Sequence, residues 1–374
     1  MTELYLIRHI QAEGNLYRAM QGHWNGAPTA LGLHQCDLLA ERFRDIPVDE
    51  LWSSDLTRAK VTASALQKYR PLRLHTDPML REINVGPWEG QFFGNLRHDR
   101  REELEAFARH PSQWQLDGAE TYADVMERVS AAVRAICAHC EGKTVAIVSH
   151  GVSIRCFLAR ELGLDIDDRT ALPLGDNTAV SHLYFENGAF TADYLNDCSH
   201  LAPLGHRDGS RPPELRDEPL DFESDAAYYT ACYADAWIAA HSSLEGFSPE
   251  GYLCSAREHQ RVENRAVLKI FREEEPVGLL DLDTRRGAHA GYGWISLLYL
   301  NADTRGQGLG IQLLGRAILY YKTHGRRAIR LHVAEENRRA VSFYRRWGFR
   351  ILGSERNELG NLLLMEKRLE ADHA

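Results

Sequence analysis

Leu4-Tyr5-Leu6-Ile7-Arg8-His9 is a short apolar run that ends on a basic pair, and Val145-Ala146-Ile147-Val148-Ser149-His150 is a second apolar run that also leads to a histidine. Four consecutive apolar residues are typical of a strand that is buried on both faces, as in parallel sheets. Each histidine then lies just beyond the end of its strand, where open α/β sheets bind their ligands. The two histidines are therefore predicted to form two halves of one phosphate pocket.

The rest of the first half alternates short apolar runs with amphipathic stretches. Residues 51–53 form a further strand candidate, and residues 32–43 and 56–69 have helical spacing. Residues 180–194 are predicted as a β-hairpin that turns at Glu186-Asn187-Gly188. This alternation indicates a three-layer α/β domain.

A chain of 374 residues is long enough for two domains. Residues 203–219 contain Pro212-Pro213, many charges and almost no apolar periodicity, so we interpret them as a linker. We expect a first domain over residues 1–202 and a second over residues 220–374.

Composition narrows the class of protein. The hydrophobic fraction is 44% and the charged fraction 26%, as in ordinary soluble globular proteins. No apolar run approaches the roughly 20 residues of a membrane-spanning helix, and no secretory signal is visible, so we expect a cytoplasmic protein without a membrane partner. The net charge is −9 and neither half is basic, which argues against nucleic acid as a partner. Seven scattered cysteines do not suggest a disulfide framework.

Several residues near the two strands suit the chemistry of a phosphomonoester. Such a reaction needs cationic donors for the phosphate oxygens, a nucleophile and a proton for the leaving alcohol. Arg8 offers a planar fork of donors and His9 a nitrogen nucleophile, while Arg58 follows a strand and enters a helix. His150 can donate to the same phosphate, and Glu82 is a candidate carboxylic acid.

These residues stand in five ordered motifs that resemble the histidine phosphatase superfamily, which includes the cofactor-dependent phosphoglycerate mutases. The motifs are Leu6-Ile7-Arg8-His9-Ile10-Gln11-Ala12-Glu13-Gly14-Asn15, Pro28-Thr29-Ala30-Leu31-Gly32, Ser53-Ser54-Asp55-Leu56-Thr57-Arg58-Ala59, Arg81-Glu82-Ile83-Asn84-Val85-Gly86-Pro87-Trp88-Glu89-Gly90 and Ile147-Val148-Ser149-His150-Gly151. The resemblance covers about residues 1–195 and implies a three-layer α/β/α, phosphoglycerate mutase-like domain.

The resemblance also implies roles for these residues. His9 would be phosphorylated and then freed by water, while Arg8, Arg58 and His150 would bind the phosphoryl oxygens. Glu82 would protonate the leaving oxygen and then help to activate water. The implied substrate is a small phosphorylated metabolite, bound also by Asn15, Gln21 and Gly151, and no metal is implied.

Two features bear on activity. The family has glycine after the first histidine where this chain has Ile10, and we expect an ordinary backbone there, with Ile10 narrowing the pocket wall. The segment Gly86-Pro87-Trp88-Glu89-Gly90 resembles the small-molecule phosphatases of the superfamily. A phosphoglycerate-type mutase and a degenerate domain that only binds a phosphorylated ligand are the alternatives.

A glycine-rich loop in the second half belongs to a different chemistry. Arg305-Gly306-Gln307-Gly308-Leu309-Gly310 follows a predicted strand at residues 294–300 and precedes a helical run at residues 311–321. Glycines let successive N–H groups point at a pyrophosphate, and the helix N-terminus adds a favourable dipole. A dinucleotide fingerprint fits this context poorly, and the lysine of a Walker loop is missing.

The segment downstream of the loop resembles the GNAT acetyltransferases. A predicted strand at residues 329–333 is followed by Asn337, by Phe343-Tyr344 on a helix, and by Gly348-Phe349 at the start of the last strand. The resemblance covers about residues 220–369 and implies an α+β GNAT (acyl-CoA N-acyltransferase) domain.

That resemblance implies acetyl-CoA as co-substrate and a small amine as acceptor. The cofactor arm would pair with the backbone of Leu300 and contact Asn337, and Tyr344 would protonate the departing thiolate. The pyrophosphate would be held by the amides of Arg305, Gly306, Gln307, Gly308, Leu309 and Gly310. The base stays open among Asp281, Asp283 and Glu335, each expected to be a solvated carboxylate. A domain that only senses acyl-CoA is the alternative to catalysis.

Overall fold

The computed structural model describes residues 1–205, 213–357 and 360–369. The described residues form two compact units, the first made of residues 1–91 and 96–205 and the second of residues 92–95, 213–357 and 360–369. Within the described residues, no helix combines the length and the apolar character that crossing a membrane would require.

The first unit is built on a mixed six-stranded sheet in the order β3-β2-β4-β1-β5-β6. Its strands are β1 (Thr2–Arg8), β2 (Glu50–Ser53), β3 (Leu74–Thr76), β4 (Thr144–Ser149), β5 (Val180–Glu186) and β6 (Ala189–Asp197). The helices up to residue 205 are α1 (Glu13–Tyr17), α2 (Ala30–Arg42), α3 (Thr57–Ser64), α4 (Phe93–Asp99), α5 (Arg101–Arg109), α6 (Tyr122–His139) and α7 (Gly151–Leu162). Short 3-10 turns lie at Ala65–Gln67, Pro78–Leu80, Gly86–Trp88, Pro111–Gln113 and Ser199–Leu204.

The centre of this sheet is the pair of strands that the sequence singled out. β1 pairs with β4 in parallel, with Leu4 opposite Val145 and Arg8 opposite Ser149. Their four apolar residues are buried because helices cover both faces of the sheet, as predicted. This register brings the carboxyl ends of the two strands side by side, and therefore places His9 next to His150.

The predicted hairpin at the edge of the first sheet is confirmed. β5 and β6 pair antiparallel, and the turn residues Asn187 and Gly188 both have positive φ, at 51° and 78°. Two successive positive φ values are the signature of the tight turn that matches the twist of a hairpin, which explains the Asn-Gly pair.

The second unit is built on a seven-stranded sheet in the order β12-β13-β11-β10-β9-β8-β7. Its strands are β7 (Leu215–Pro219), β8 (Val267–Arg272), β9 (Glu275–Asp283), β10 (Tyr292–Leu300), β11 (Ala328–Ala334), β12 (Arg350–Asn357) and β13 (Gly360–Arg368). Its helices are α8 (Ala226–His241), α9 (Pro249–Val262), α10 (Gly310–Thr323) and α11 (Arg338–Arg346), with 3-10 turns at Asn264–Ala266, Ala288–Ala290 and Ala302–Thr304.

One strand pair opens a cleft in this second sheet. β10 pairs in parallel with β11 only from Tyr292 to Trp294, although both strands continue beyond that point. On its other side β10 carries a bulge between Ile295 and Leu297. A bulge increases the local twist and bends the strand. The two strands therefore separate towards their carboxyl ends and leave the edge of Leu298–Leu300 open to a ligand.

The structure differs from the sequence analysis in two places of this unit. β7 pairs with β8, so the predicted linker overlaps the second sheet over Leu215–Pro219; residues 206–212 of that linker lie outside the described residues. An ion pair helps to hold this strand in place: the buried carboxylate of Asp217 lies 2.5 Å from Nε of the buried Arg316 on α10. The strand after Phe349 is β12 and not the last one, since β13 returns between β12 and β11.

Candidate functional site

His9 and His150 lie against each other at the ends of β1 and β4. His9 is 4% exposed and His150 is fully buried, and their ring centroids are 5.1 Å apart. The parallel register of the two strands is what brings them together. The predicted juxtaposition of the two histidines is thus present in the fold.

The Nδ1 atoms of the two imidazole rings differ in their hydrogen bonds, since one donates and the other accepts. Nδ1 of His9 lies 2.6 Å from the carbonyl oxygen of Ile10, so Nδ1 carries the proton and Nε2 keeps its lone pair. Nδ1 of His150 instead accepts from Nε of Arg58 at 3.2 Å, so its proton is on Nε2. Within the described residues, this buried Nε2 of His150 has no hydrogen-bond partner. One Nε2 can attack phosphorus while the other donates to a phosphate oxygen.

Burial, together with the charges around the site, keeps both rings neutral. Burial, followed by the charges of Arg58 and Arg8, holds the pKa of His9 well below its usual range. Burial, Arg58 and His9 do the same for the pKa of His150. A neutral His9 keeps the lone pair that a nucleophile needs.

Arg58 is fixed in the site by a loop of the same unit. It is fully buried, and its two terminal nitrogens donate to the carbonyl oxygens of Trp24 at 2.9 Å and Gly22 at 2.7 Å. Burial lowers the pKa of Arg58 to about 10, and the charges of Glu82 and Glu89 act in the opposite direction. Its fork is therefore held at fixed positions before a ligand arrives.

Glu89 holds that loop and was not singled out from the sequence. Its carboxylate accepts from the backbone N–H groups of Gly22 at 3.2 Å, His23 at 2.6 Å and Trp24 at 2.9 Å. Three successive amides on one carboxylate fix the loop whose carbonyls hold Arg58. Glu89 belongs to the motif quoted above, but nothing in its spacing shows which backbone it would bind.

Arg8 and Gly151 make close contact on the other side of the site. A terminal nitrogen of Arg8 donates to the carbonyl oxygen of Gly175. A Cβ added to Gly151 would lie 3.2 Å from Cζ and Nε of Arg8. Only glycine lets the start of α7 come this close to the guanidinium, and this gives a packing reason for Gly151.

Glu82 lies at the amino end of α7 and accepts four hydrogen bonds. Its donors are the N–H groups of Ile83, Val152 and Ser153, at 3.0–3.1 Å, and the hydroxyl of Ser153 at 3.2 Å. The positive end of a helix favours a carboxylate at this position. Glu82 therefore binds the helix start itself, with Arg58 as its neighbouring cation.

Three further positions from the sequence analysis, Asn15, Gln21 and Ile10, have the following surroundings. The side-chain oxygen of Asn15 accepts from the N–H of Ala12 at 3.0 Å, which closes the first turn of α1. Oε1 of Gln21 is buried and has no partner within the described residues. Ile10 is fully buried and is not among the residues with positive φ, so its backbone is ordinary, as expected. Its N–H donates to the hydroxyl of Thr62 at 2.9 Å.

A strained residue supports the end of β1. Thr178 is buried and has a φ of 65°, a conformation that β-branched residues rarely adopt. Its N–H lies 3.1 Å from the carbonyl oxygen of Arg8 and 3.3 Å from that of His9, and Asn177 Nδ2 donates to the carbonyl oxygen of His9 at 2.9 Å. These bonds fix the backbone that carries His9.

The glycine loop of the second unit borders a cleft of about 500 Å³. Gly306 and Gly308 have φ values of 84° and 77°, so the loop needs glycine at both positions. α10 begins at Gly310, the last residue of the loop, and has no acidic residue in its first turn. The loop and helix start therefore fit the phosphates of acetyl-CoA. Arg339 Nη2 lies 3.8 Å from the Cβ position of Gly306, which adds a cation that the sequence analysis did not assign.

The other predicted cofactor residues fall into two groups. Leu300 and Asn337 line the cleft, and Asn337 also caps α11 by accepting from the N–H of Ala340 at 3.1 Å. The side chain of Arg305 instead donates to the carbonyl oxygen of Leu300 at 2.6 Å and to Asp235. Arg305 thus fastens the loop to β10, so its side chain is engaged within the protein. The side chain of Gln307 accepts from Arg272 at 3.1 Å.

Tyr344 joins the cofactor cleft to a second cavity. It is 8% exposed, lines both cavities, and burial raises the pKa of its phenol. The second cavity, about 520 Å³, is also lined by Asp281 and Asp283. The expectation of a solvated Asp281 is wrong, because β9 is a central strand and leaves this carboxylate 1% exposed. Glu335 is exposed and accepts from Asn361 at 2.7 Å, outside the residues that line the cavity.

Metal ligands and family matches complete the description of the site. Among the described residues, no group of three or more His, Cys, Asp or Glu side chains is arranged to hold a metal ion. Residues 4–198 match the histidine phosphatase superfamily (branch 1), and residues 225–349 match the acetyltransferase (GNAT) family. The chain belongs to the histidine phosphatase superfamily and carries a GNAT acetyltransferase domain after its phosphatase-type domain.

Individual relatives match the first of these domains. "Probable phosphoglycerate mutase GpmB" of Proteus mirabilis is 28% identical over 209 residues, which cover 54% of this chain and 97% of that protein. The protein of the same name from Yersinia pestis is 27% identical over 206 residues, covering 54% and 95%. Among solved structures, Bacillus stearothermophilus YhfR superposes with a TM-score of 0.52 at 29% identity, covering 54% of this chain and all of that one.

Proposed function

We propose that the first unit hydrolyses a small phosphomonoester through a phosphohistidine at His9. The observation that carries this proposal is the difference between the two Nδ1 partners, a carbonyl oxygen for His9 and a guanidinium for His150, which makes Nε2 of His9 an acceptor and Nε2 of His150 a donor. Nε2 of His9 attacks phosphorus, and the bond from phosphorus to the alcohol oxygen breaks. Arg8, Arg58 and Nε2–H of His150 hold the phosphoryl oxygens and stabilise their charge in the transition state.

Protons and water complete this cycle. Glu82 is the neutral acid when substrate binds and gives its proton to the leaving alkoxide, and the N–H groups at the start of α7 then stabilise the carboxylate that is left. In the second step that carboxylate accepts a proton from water, whose oxygen attacks phosphorus and breaks the bond to His9. Inorganic phosphate leaves, and His9 returns to its neutral form. Asn15 and Gln21 are proposed to supply further polar contacts to the substrate.

The experiment that tests this proposal measures phosphate release from p-nitrophenyl phosphate and from a panel of phosphorylated metabolites. We expect turnover with at least one substrate and an acid-labile phosphoprotein after rapid quenching. Binding of phosphorylated ligands without turnover would support the degenerate binding domain instead.

The names of the curated relatives favour a second candidate, a phosphoglycerate-type mutase. Such an enzyme moves phosphate between two hydroxyl positions without net release. Incubation with 3-phosphoglycerate separates the two, because a mutase would yield 2-phosphoglycerate and a phosphatase would yield inorganic phosphate.

Glu82→Gln tests the proton donor of the proposed cycle. The amide cannot supply a proton, so hydrolysis of alkyl phosphates should fall by about 10²-fold. Hydrolysis of p-nitrophenyl phosphate should fall much less, because its phenolate leaves without a proton. The exposed Glu102→Gln is the matched control. An equal loss with both kinds of leaving group would contradict the acid role.

We propose that the second unit transfers an acetyl group from acetyl-CoA to an amine. The glycine loop, the open edge of Leu298–Leu300 and Asn337 support a bound cofactor, and Tyr344 lies where this cleft meets the second cavity. A panel of amines, assayed for thiol release from acetyl-CoA, tests the proposal. Tight CoA binding without transfer to any amine would indicate the sensor instead.

Tyr344→Phe tests the proposed acid of the transfer step. Without the phenol, the thiolate leaves unprotonated, and we expect kcat to fall by on the order of 10-fold to 10²-fold. The dissociation constant of CoA should change little, because the ring and its packing on Phe349 remain. Tyr320→Phe, on α10 and outside both cavities, is the control. An unchanged kcat would remove Tyr344 from the mechanism.

A further inference from the structure

The second cavity of the GNAT domain is lined by a hydrogen-bonded pair, His259 and Asp281, and the sequence analysis did not find His259. Nδ1 of His259, on α9, lies 2.6 Å from Oδ1 of Asp281 on β9. The other oxygen, Oδ2, accepts from the hydroxyl of Tyr229 on α8 at 2.9 Å. Both oxygens of this buried carboxylate therefore have partners, and His259 is fixed by one of them.

This hydrogen bond decides which nitrogen of His259 is available. With the proton on Nδ1 directed at Asp281, the lone pair is on Nε2. His259 lines the cavity, and Asp283 Oδ2 lies 3.6 Å from its Nε2. A histidine whose rear nitrogen is held by a carboxylate has the arrangement of a general base.

The cavity also connects His259 with the cofactor cleft. Leu298, Asn337 and Tyr344 line both spaces, so an acceptor in the second cavity meets the cofactor beside Tyr344. A volume of about 520 Å³ is enough for a small metabolite. The base and the acid of an acetyl transfer would then lie in the wall of one cavity.

We propose that His259 is the general base of the GNAT domain and that its acceptor is a primary amine bound as a cation. This inference rests on the proposed acetyl transfer. The amine enters as an ammonium ion and gives one proton to Nε2 of His259. Its nitrogen then attacks the thioester carbon, and the carbon–sulfur bond breaks. Tyr344 protonates the sulfur and takes the second nitrogen proton in exchange, so the products are the amide, CoA and one proton that His259 returns to water.

The walls of the cavity suit a cation before it loses its proton. Asp281 and Asp283 provide negative charge, and the rings of Tyr233, Trp237 and Tyr252 also line the space. Aromatic faces and carboxylates together attract an ammonium group. The guanidinium of Arg286 lies 3.4 Å from the ring centroid of Trp294, so the face of this one aromatic ring is already covered by a cation of the protein.

The charges that face His259 determine how activity should depend on pH. Asp281 and Asp283 face it from β9, Glu258 lies on its own helix, and Arg286 and His332 line the same cavity. Burial lowers the pKa of His259, but the hydrogen bond and charge of Asp281 and the charge of Asp283 outweigh it and raise the pKa above the usual value. Since the base must be deprotonated, kcat/KM should rise with pH through this raised value.

The test compares wild type with His259→Ala and His259→Asn, using the amine that wild type acetylates best in the panel. His259→Asn keeps a donor for Asp281 but has no basic nitrogen, so it separates catalysis from folding. We expect kcat/KM for the amine to fall by about 10²-fold in both variants at neutral pH, with the KM for acetyl-CoA unchanged. The residual kcat/KM of both variants should rise about tenfold per pH unit as the free amine accumulates. Added imidazole should restore part of the lost activity. Asp281→Asn should show an intermediate loss.

The exposed His289→Ala is the matched control and should retain full activity. Wild-type kcat/KM and an unchanged pH profile in His259→Asn would overturn the assignment of the base while leaving acetyl transfer intact. Acetylation of uncharged aromatic amines alone would overturn the cationic acceptor. If wild type acetylates no amine, the proposed function of the domain fails, and the base fails with it.

Discussion

His9→Ala should abolish phosphomonoester hydrolysis and leave acetyl transfer at the wild-type rate. His9 is the proposed nucleophile, because its Nδ1 is bound to a carbonyl oxygen and its Nε2 keeps the lone pair, so its removal takes away the covalent step and not only a contact. Loss of a catalytic nucleophile lowers kcat by on the order of 10⁴-fold or more. The measurement is phosphate release from the best substrate of the metabolite panel, with trapping of the phosphoprotein after rapid quenching.

Two further observations make this result specific. The exposed His34→Ala should hydrolyse substrate as wild type does. Inorganic phosphate should bind to His9→Ala about as well as to wild type, since Arg8, Arg58 and His150 remain in place. Hydrolysis within tenfold of wild type, or a phosphoprotein that survives the substitution, would show that another group is the nucleophile.

Arg58→Ala should have the second-largest effect, a loss of about 10³-fold in kcat/KM, because it removes a fixed cation from a water-poor site. Arg58 also holds the tautomer of His150, since its Nε donates to Nδ1 of that ring. Arg58→Lys keeps the charge but cannot make the three separate hydrogen bonds, so we expect it to recover only part of the activity.

The controls for Arg58 separate catalysis from folding. Arg58→Ala leaves the carbonyl oxygens of Gly22 and Trp24 without their donor, and thermal unfolding of both variants measures the resulting loss of stability. Arg73→Lys, at an exposed position, should change neither property. Wild-type kcat/KM in a folded Arg58→Lys would show that the phosphate needs a charge at this place and not a planar fork.

The elements that the sequence predicted well are those with uninterrupted local patterns. Two runs of four apolar residues became β1 and β4, and Asn187-Gly188 became the hairpin turn. β7 was missed because its reason is not local. A strand containing Arg216 and Asp217 has no apolar alternation, and the contacts that hold it are distant in sequence, such as the buried pair of Asp217 with Arg316, 99 positions away.

In the two candidate sites, too, local sequence patterns predicted some residues, whereas contacts between distant residues were missed. Motifs identified the residues proposed to touch phosphate, because their order along the chain carries the resemblance. Residues that hold them in place were not identified: Glu89 acts on a backbone 65 or more positions away, and His259 meets Asp281 only after α9 packs on β9. α9 itself was not predicted, although its face carries the histidine that we propose as the base.

The carboxylates beside Arg58 have a consequence for turnover. Glu82 and Glu89 lie close enough to act on this guanidinium, and as carboxylates they offset part of its positive charge. A dianion that arrives in such a site is held by directed hydrogen bonds more than by surplus charge, and the phosphate formed at the end meets little net attraction. A mutase must keep a doubly phosphorylated intermediate through each cycle, whereas a hydrolase works faster when its product leaves. We therefore expect inorganic phosphate to be a weak product inhibitor, as suits a phosphatase that releases its product rapidly.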